Sequence, residues 1–320
     1  ITIVSDKVTQ WADKSGNARH AVQATADSQP VVGSAVIDGK NTIRFDGSDD
    51  YLTVSSFPTG ASAYSMYAVL KVDNDPPANA AQSGFLTFDG DSKLVSHYPY
   101  SDGKVYCDFA TTARKTVGNP SPSLASAHLL NFDSAASLWT CRINGTEIYT
   151  TATNTVGMSS ATNDIGKSDN YFDGDFAEIL IFPSVLSAQN RLIVEGYLAH
   201  KWGLESSLPT GHPYKTNAPA LVSCDGHCKT NFGDIRFHNA ADAELKYMID
   251  WGSLTGTTPN QLVGVWVAPS PGTSATDVVL KYGDSSLTDG SCAGTDIFIK
   301  YKNFESGSDG DSIADADEDW

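Results

Sequence analysis

One stretch of this chain reads as a turn, a buried strand and one well-delimited helix, and the rest reads as short strands cut by turns. That combination points to an all-β architecture. The stretch is Tyr171–Leu204, YFDGDFAEILIFPSVLSAQNRLIVEGYLAHKWGL. Asp173-Gly174 supplies turn chemistry, Phe176–Phe182 is an apolar run of strand length, and Pro183 stops it. Ser187 suits an N-cap, and Leu192, Ile193, Gly196, Tyr197 and His200 recur at helical spacing. Lys201 in the last turn and Gly203 just beyond it are C-terminal signals. The segment therefore predicts the closing strand of a β-sandwich and the helix that packs on it.

Strand periodicity fills the rest of the first two-thirds. Tyr64, Met66, Ala68, Leu70 and Val72 alternate with Ser65, Tyr67 and Lys71, the period of a half-buried strand. Further strands are predicted at Gly84–Phe88, Leu94–His97, Val105–Ala110, His128–Phe132 and Leu138–Ile143. Asn144-Gly145 is the strongest hairpin signal. It also forms the sequon Asn-Gly-Thr, for which the turn reading is preferred. LPTGHPYKTNAP, rich in proline and polar residues, marks a boundary near Pro209–Pro219. Beyond it, Tyr247, Ile249 and Trp251 share one face of a strand, and Val263, Val265 and Val267 share a face of the next. The expected division is residues 1–208, a linker 209–219, a smaller β-sandwich 220–304 and an acidic tail 305–320.

At 320 residues the chain is long enough for two cores, and 40% hydrophobic residues with 10% aromatics mark it as globular. A formal charge of −17 argues against nucleic acid, which calls for clustered Lys and Arg. Residues 305–320 alone hold seven acids and no base. No apolar run is long enough to span a membrane, so no membrane insertion is expected. Ile1-Thr2-Ile3 already reads as a strand, which suggests a mature or fragmentary piece of a larger secreted polypeptide. Of five cysteines, Cys107 lies on the Val105/Phe109 face and Cys141 on the Trp139/Ile143 face. The pair is either a disulfide or two buried thiols. Cys224, Cys228 and Cys292, with His227, hold either a disulfide or a Zn²⁺ set, the disulfide being preferred. The odd count leaves at least one thiol unpaired or intermolecular.

Three segments in order, WADKSGNARHAVQ (Trp11–Gln23), IRFDGSDDYL (Ile43–Leu52) and FDGDFAEILIFPSVLS…VEGYLAHKWGL, resemble laminin-G-like, concanavalin-A-like lectin domains of secreted microbial proteins. The resemblance covers roughly residues 1–215. It implies a concanavalin-A-like jelly-roll sandwich with one C-terminal helix. The order DIRF…L-x-Y-x-I…W…VWV-x-P…LKYGD, about residues 220–305, resembles an uncharacterised β domain family of secreted prokaryotic proteins.

The lectin fold hosts binders, hydrolases and structural modules, so function is read from sites. Related glycoside hydrolases set carboxylates at alternate positions of one strand. Here Asp173, Asp175 and Glu178 do not give that spacing, and Asp175 and Glu178, three apart, fall on opposite faces of a regular strand. Glu178 fits a hydrogen-bonded acid that supports the fold, and His200 a core histidine. No Gly-x-Ser-x-Gly elbow occurs. The expectation is a non-enzyme. Lectin-like sandwiches often hold Ca²⁺, for which Asp46, Asp49, Asp50, Asp173 and Asp175 are the candidate ligands, although Asp-Gly is also ordinary turn chemistry. Asp309-Gly310-Asp311…Asp315-x-Asp317 is similar to extracellular calcium loops but reads better as a solvated linker. Sugar sites in such sandwiches pair aromatic platforms with Asp and Asn on loops. Tyr98, Tyr100, Asp169, Asn170 and Tyr171 fit that description, and Phe172 fits either a site or the core. The expected role is an extracellular, secreted or cell-surface binding module for glycan or a surface protein, Ca²⁺-assisted. The alternative is a self-associating structural subunit of an adhesin, filament or surface layer, and a glycan hydrolase or lyase is a weaker third.

Overall fold

The computed structural model describes residues 1–15, 17–87, 96–158, 160, 162–219, 228–239, 241–255, 262–267 and 278–291. The chain divides into two units, Ile1–Leu221 and Val222–Trp320. The first contains β1 (Thr2–Val4), β2 (Lys7–Trp11), β3 (Ala21–Val22), β4 (Val31–Ile37), β5 (Lys40–Asp46), β6 (Leu52–Val54), β7 (Ala63–Val72) and β8 (Leu86–Thr87). It continues with β9 (Val105–Cys107), β10 (Lys115–Gly118), β11 (His128–Ala135), β12 (Leu138–Ile143), β13 (Thr146–Thr151), β14 (Asn163–Ile165), β15 (Asp173–Phe182) and the helix α1 (Ala188–Lys201). Thirteen strands form one antiparallel ladder in the order β13-β12-β11-β7-β15-β5-β4-β2-β3-β6-β14-β8, with β1 on β2. The ladder crosses from one layer to the other where β4 meets β2 through the single pair Lys7–Val31. The result is a mostly β, concanavalin-A-like sandwich with one α-helix among the described residues.

The alternation along β7 explains the layering. Tyr64, Met66, Ala68, Leu70 and Val72 face the main core, with Val8, Leu52, Leu86, Cys107 and Trp139. The opposite face is not solvated as a half-buried strand would be, because Tyr67 and Val69 are sealed beneath Leu198, Ala199 and Trp202. The core is dominated by aromatics: Phe172 and Phe176 lie 4.7 Å apart between ring centres, and Phe85 stacks on Tyr98 at 4.7 Å. Each such burial contributes roughly 1.5–3 kcal/mol. Phe172 belongs to this core.

The helix starts where Ser187 predicted, its side chain accepting from the Asn190 N–H at 3.2 Å. It ends after Lys201, and Gly203 takes the positive φ, +66°, that stops it. Its packed face differs from the expected one. Glu195, Gly196, Leu198 and Ala199 are buried, while Leu192, Ile193 and Tyr197 are half-buried. The shift follows from Glu195, whose carboxylate accepts from Arg191 at 2.8 Å and from His212 at 3.2 Å. His200 is half-buried and donates to the Tyr214 carbonyl at 2.9 Å. Asn144 and Gly145, at φ 50° and 75°, make the hairpin joining β12 to β13, and the Asn144 side chain, buried, accepts from the Leu129 N–H. Cys107 and Cys141 are free thiols buried in the main core. Burial pushes both thiols well above their ordinary pKa.

Some predicted strands shorten. Within Gly84–Phe88 the described strand is β8, with Phe88 outside the described residues; Val105–Ala110 contracts to β9, and His97 makes only an isolated bridge with Tyr106. Residues 94 and 95 lie outside the described residues.

The second unit contains β16 (Arg236–Asn239), β17 (Glu244–Leu245), β18 (Tyr247–Thr255), β19 (Leu262–Val267) and β20 (Val278–Lys281). β17-β16-β20 form one antiparallel sheet and β18-β19 another. Tyr247 and Ile249 from one meet Phe237 and Leu280 from the other around Ile235, with Val265 and Val267 packed beside them. The side chains of Trp251 and Val263, the residues Cys224, His227 and Cys292, and the acidic tail lie outside the described residues. The disulfide and Zn²⁺ readings at these cysteines therefore do too, while Cys228 packs against the core of this unit. Among the described residues, no helix is long and apolar enough to cross a membrane.

Candidate functional site

A run of contacting polar and aromatic side chains follows three segments of the first unit, residues 82–84, 96–106 and 167–172. The segments are tied together by backbone bonds: Gly84 N to Tyr171 O at 2.9 Å, Tyr171 N to Ala81 O at 3.0 Å, Tyr98 N to Ser83 O at 3.1 Å, and His97 and Tyr106 reciprocally. A side chain at Gly84 would strike the Asn170 carbonyl, its Cβ falling 2.0 Å from that oxygen. Glycine is therefore the residue that lets the two segments close.

Ser83 is the hub. It donates to the Ala80 carbonyl at 2.6 Å and accepts from Asn170 Nδ2 at 3.3 Å, and His97 Nδ1 lies 2.8 Å away. With its single proton spent on the carbonyl, the hydroxyl can only accept from His97, which places the imidazole proton on Nδ1. Burial, then the Arg114 charge, holds the His97 pKa below its ordinary value, so the ring is neutral. Its face meets Tyr100 at 4.6 Å and Tyr106 at 6.1 Å, and Tyr100 and Tyr106 sit edge to face at 6.0 Å. Arg114 lies 5.2 Å over the Tyr106 ring, and the Tyr106 hydroxyl donates to Asp102 at 2.8 Å. Behind them Asp108 is buried and bonded by the Ser96 hydroxyl. Burial pushes its carboxyl up to about 6 against that bond. Ser168 Oγ donates to the Ser96 carbonyl at 2.8 Å, and Asp169 stands exposed beside them. At the other end Lys167 lies 4.2 Å over the Tyr51 ring and 5.8 Å from Tyr171.

Of the predicted ligand-binding residues, the structure brings Tyr100, Asp169, Asn170 and Tyr171 to this rim. Tyr98 is corrected. It is 1% exposed, and its hydroxyl donates to His128 Nε2 at 2.7 Å, so its ring is core and cannot face a ligand. Tyr51, Tyr106 and Arg114 belong to the rim and were missed. The alternation that buried Cys107 with Val105 already turned Tyr106 outward.

The predicted metal set divides. Asp46, Asp49 and Asp50 each offer a carboxylate oxygen within 4.8 Å of one another. Asp173 and Asp175 do not join them. Asp175 is buried, accepting from Thr42 at 2.6 Å and from Arg44 at 3.4 Å. Asp173 accepts from Arg44 at 2.8 Å and from Gln82 at 3.1 Å. Arg44, which also pairs with Asp73, is the charge partner that commits both.

The geometry of Glu178 is also corrected. The register of β15 on β7 shifts between Phe176 and Glu178, pairing Asp175 with Lys71 but Glu178 with Val69. A bulge of this kind resets the alternation, so Asp175 and Glu178 share a face. They do not act together: Glu178 accepts from Trp202 Nε1 at 2.7 Å and from Lys201 at 3.0 Å, and Asp175 serves Arg44 and Thr42.

No family model matches the sequence, and no curated protein matches it. Among solved structures the chain is similar to domain 4 of AbnA, an extracellular GH43 arabinanase from Geobacillus stearothermophilus, in complex with arabinotriose. That likeness has 14% identity over 49% of this chain and 77% of that one, with a TM-score of 0.40. It is similar to a mutant GH54 α-L-arabinofuranosidase at 17% identity, over 81% of this chain and 60% of that one, with a TM-score of 0.45. It is also similar to a Trypanosoma rangeli sialidase at 10% identity, over 58% and 30%, with a TM-score of 0.39. Identities and TM-scores this low transfer no residue role.

Proposed function

We propose that this protein is a non-catalytic, secreted or cell-surface module that binds a glycan on the rim formed by Tyr100, Tyr106, Asp169, Asn170 and Tyr171, with the buried His97 supporting it from beneath. The observation that carries the reading is the unbroken sequence of contacts from Tyr171 through Asn170, Ser83 and His97 to Tyr100 and Tyr106. Aromatic rings offer a face of negative potential to the C–H face of a sugar, and carboxylate and amide groups accept from and donate to its hydroxyls. The occupied states of Asp175, Glu178 and Ser83 support binding over turnover. A two-carboxylate glycoside hydrolase needs both carboxyls accessible beside the scissile bond, and Asp175 and Glu178 are spent on internal partners.

A broad glycan array probed with the full chain, in Ca²⁺ and again with chelator, tests this. The expected result is saturable binding to a defined glycan, weakened tenfold or more in Tyr100→Ala and in Tyr106→Ala at unchanged Tm. Binding indifferent to both substitutions would remove the rim from the reading. Silence across the array, with concentration-dependent self-association, would favour the structural subunit instead. Release of sugar from any array member would overturn the non-catalytic assignment.

A further inference from the structure

Behind the rim lies a buried carboxylate, that of Asp108, the residue just after β9. It is 4% exposed. Its Oδ1 accepts from the hydroxyl of Ser96, which is itself buried. Ser96 adjoins His97, and its carbonyl accepts from Ser168 Oγ at 2.8 Å, in the turn that carries Asp169, Asn170 and Tyr171. One acid thus reaches two of the three rim segments through a single serine. A neutral acceptor would satisfy the Ser96 hydroxyl without burying a charge. The charges that face Asp108 oppose each other. Arg114, from the connection between β9 and β10, favours the carboxylate, and Asp169 disfavours it. The neighbouring Cys107 thiol stays protonated, because burial pushes it up. Burial of Asp108 itself outweighs these charges, raising its carboxyl from the ordinary 3.8 to about 6. The ionised acid therefore costs stability above pH 6, a cost relieved as pH falls towards 3.8. Such a cost is characteristic of groups that a site keeps for what they position.

We propose that Asp108 is the positioning residue of the rim: its carboxylate fixes Ser96, and Ser96 sets the segment carrying His97, Tyr100 and Tyr106 against the turn carrying Asp169, Asn170 and Tyr171. The inference rests on the glycan reading above and adds a regulation to it. A carboxylate accepts a charge-assisted bond about twice as strong as the one a neutral acid accepts. Protonating Asp108 therefore slackens the rim without unfolding the chain, and a bound glycan is released as the medium turns mildly acidic.

The test compares the unaltered full chain with Asp108→Asn. The readouts are Tm, the Kd of the glycan ranked first on the array at pH 7.5 and 5, and amide exchange of His97, Tyr98, Tyr106 and Tyr171 at pH 7.5. At pH 7.5 the substitution is expected to weaken binding fivefold or more and to speed exchange at those amides, at unchanged or higher Tm. The unaltered chain is expected to lose a similar factor between pH 7.5 and 5, while Asp108→Asn stays flat. Unchanged Kd and exchange in the substituted chain would overturn the proposal. So would an acid loss of binding that persists in it, since His97 or another group would then be titrating. If the unaltered chain binds no array glycan, the glycan reading falls, and amide exchange alone decides whether Asp108 positions the segments. Where Asp108→Asn does not fold, Ser96→Ala removes the donor, keeps the acid and is read by the same Kd and exchange at pH 7.5.

Discussion

Tyr98 and Tyr100 are two residues apart and have opposite fates. Strand alternation would place them on one face, but a tight turn begins at Tyr100, whose carbonyl accepts from the Gly103 N–H at 2.8 Å. Nothing in HYPY marks which tyrosine precedes that turn, so the platform was legible as a cluster and not as individual side chains. The inner tyrosine leads to a pH prediction. His128 is buried, donates from Nδ1 to the Ser126 carbonyl at 2.8 Å, and therefore accepts from Tyr98 on Nε2. Burial lowers its pKa to about 4. The unfolded chain takes up this proton near pH 6.5 and the folded one only near 4, so stability is complete above 6.5 and is lost as pH falls through that window. At pH 4.5 the loss amounts to roughly 2.5 kcal/mol. Denaturant unfolding of wild type and His128→Gln at pH 7 and 4.5 should show the cost of the substitution shrinking by about that much. A pH-independent cost would mean that the imidazole is protonated in the folded state.

At the scale of elements, the helix start, the Asn144-Gly145 hairpin and the stop at Pro183 were readable because each is fixed by local chemistry. The bulge in β15 was not, since Phe-Ala-Glu contains no glycine or proline to mark an extra residue. Its effect is to bring Glu178 onto the helix side, where it bridges strand to helix through Trp202 and Lys201. Glu178→Ala strands the Trp202 N–H, 7% exposed as a residue, and is expected to cost about 1–3 kcal/mol. Glu178→Gln keeps an acceptor and should cost less than about 1 kcal/mol. Equal losses in chemical denaturation would show that charge, and not the indole bond, holds the helix down. The buried face of α1 was misread for a related reason: hydrophobic period alone does not foresee a carboxylate, Glu195, buried between Arg191 and His212.

For the whole molecule, the sandwich was legible because period and turn spacing recur many times, and a repeated weak signal becomes a strong one. Strand partners were not. β7 lies between β11 and β15, and β5 pairs with β15 across more than a hundred residues, associations that one sequence does not encode locally. Each unit closes its own hydrophobic core, Val8 through Leu208 in the first and Cys228 through Leu280 in the second. A chain ending at Pro219 is therefore expected to unfold cooperatively, with its own calorimetric transition matching one seen in the full chain. A fragment without a sharp transition would show that the first core is incomplete alone.

The backbone bonds that lace Gly84, His97 and Tyr171 together have a kinetic corollary. A surface whose segments are already hydrogen-bonded to each other behaves as a mould, and loses little conformational entropy when it is filled. On the proposed glycan reading, sugars that differ by one hydroxyl should meet it at nearly the same rate. What separates a good fit from a poor one would be how long each stays.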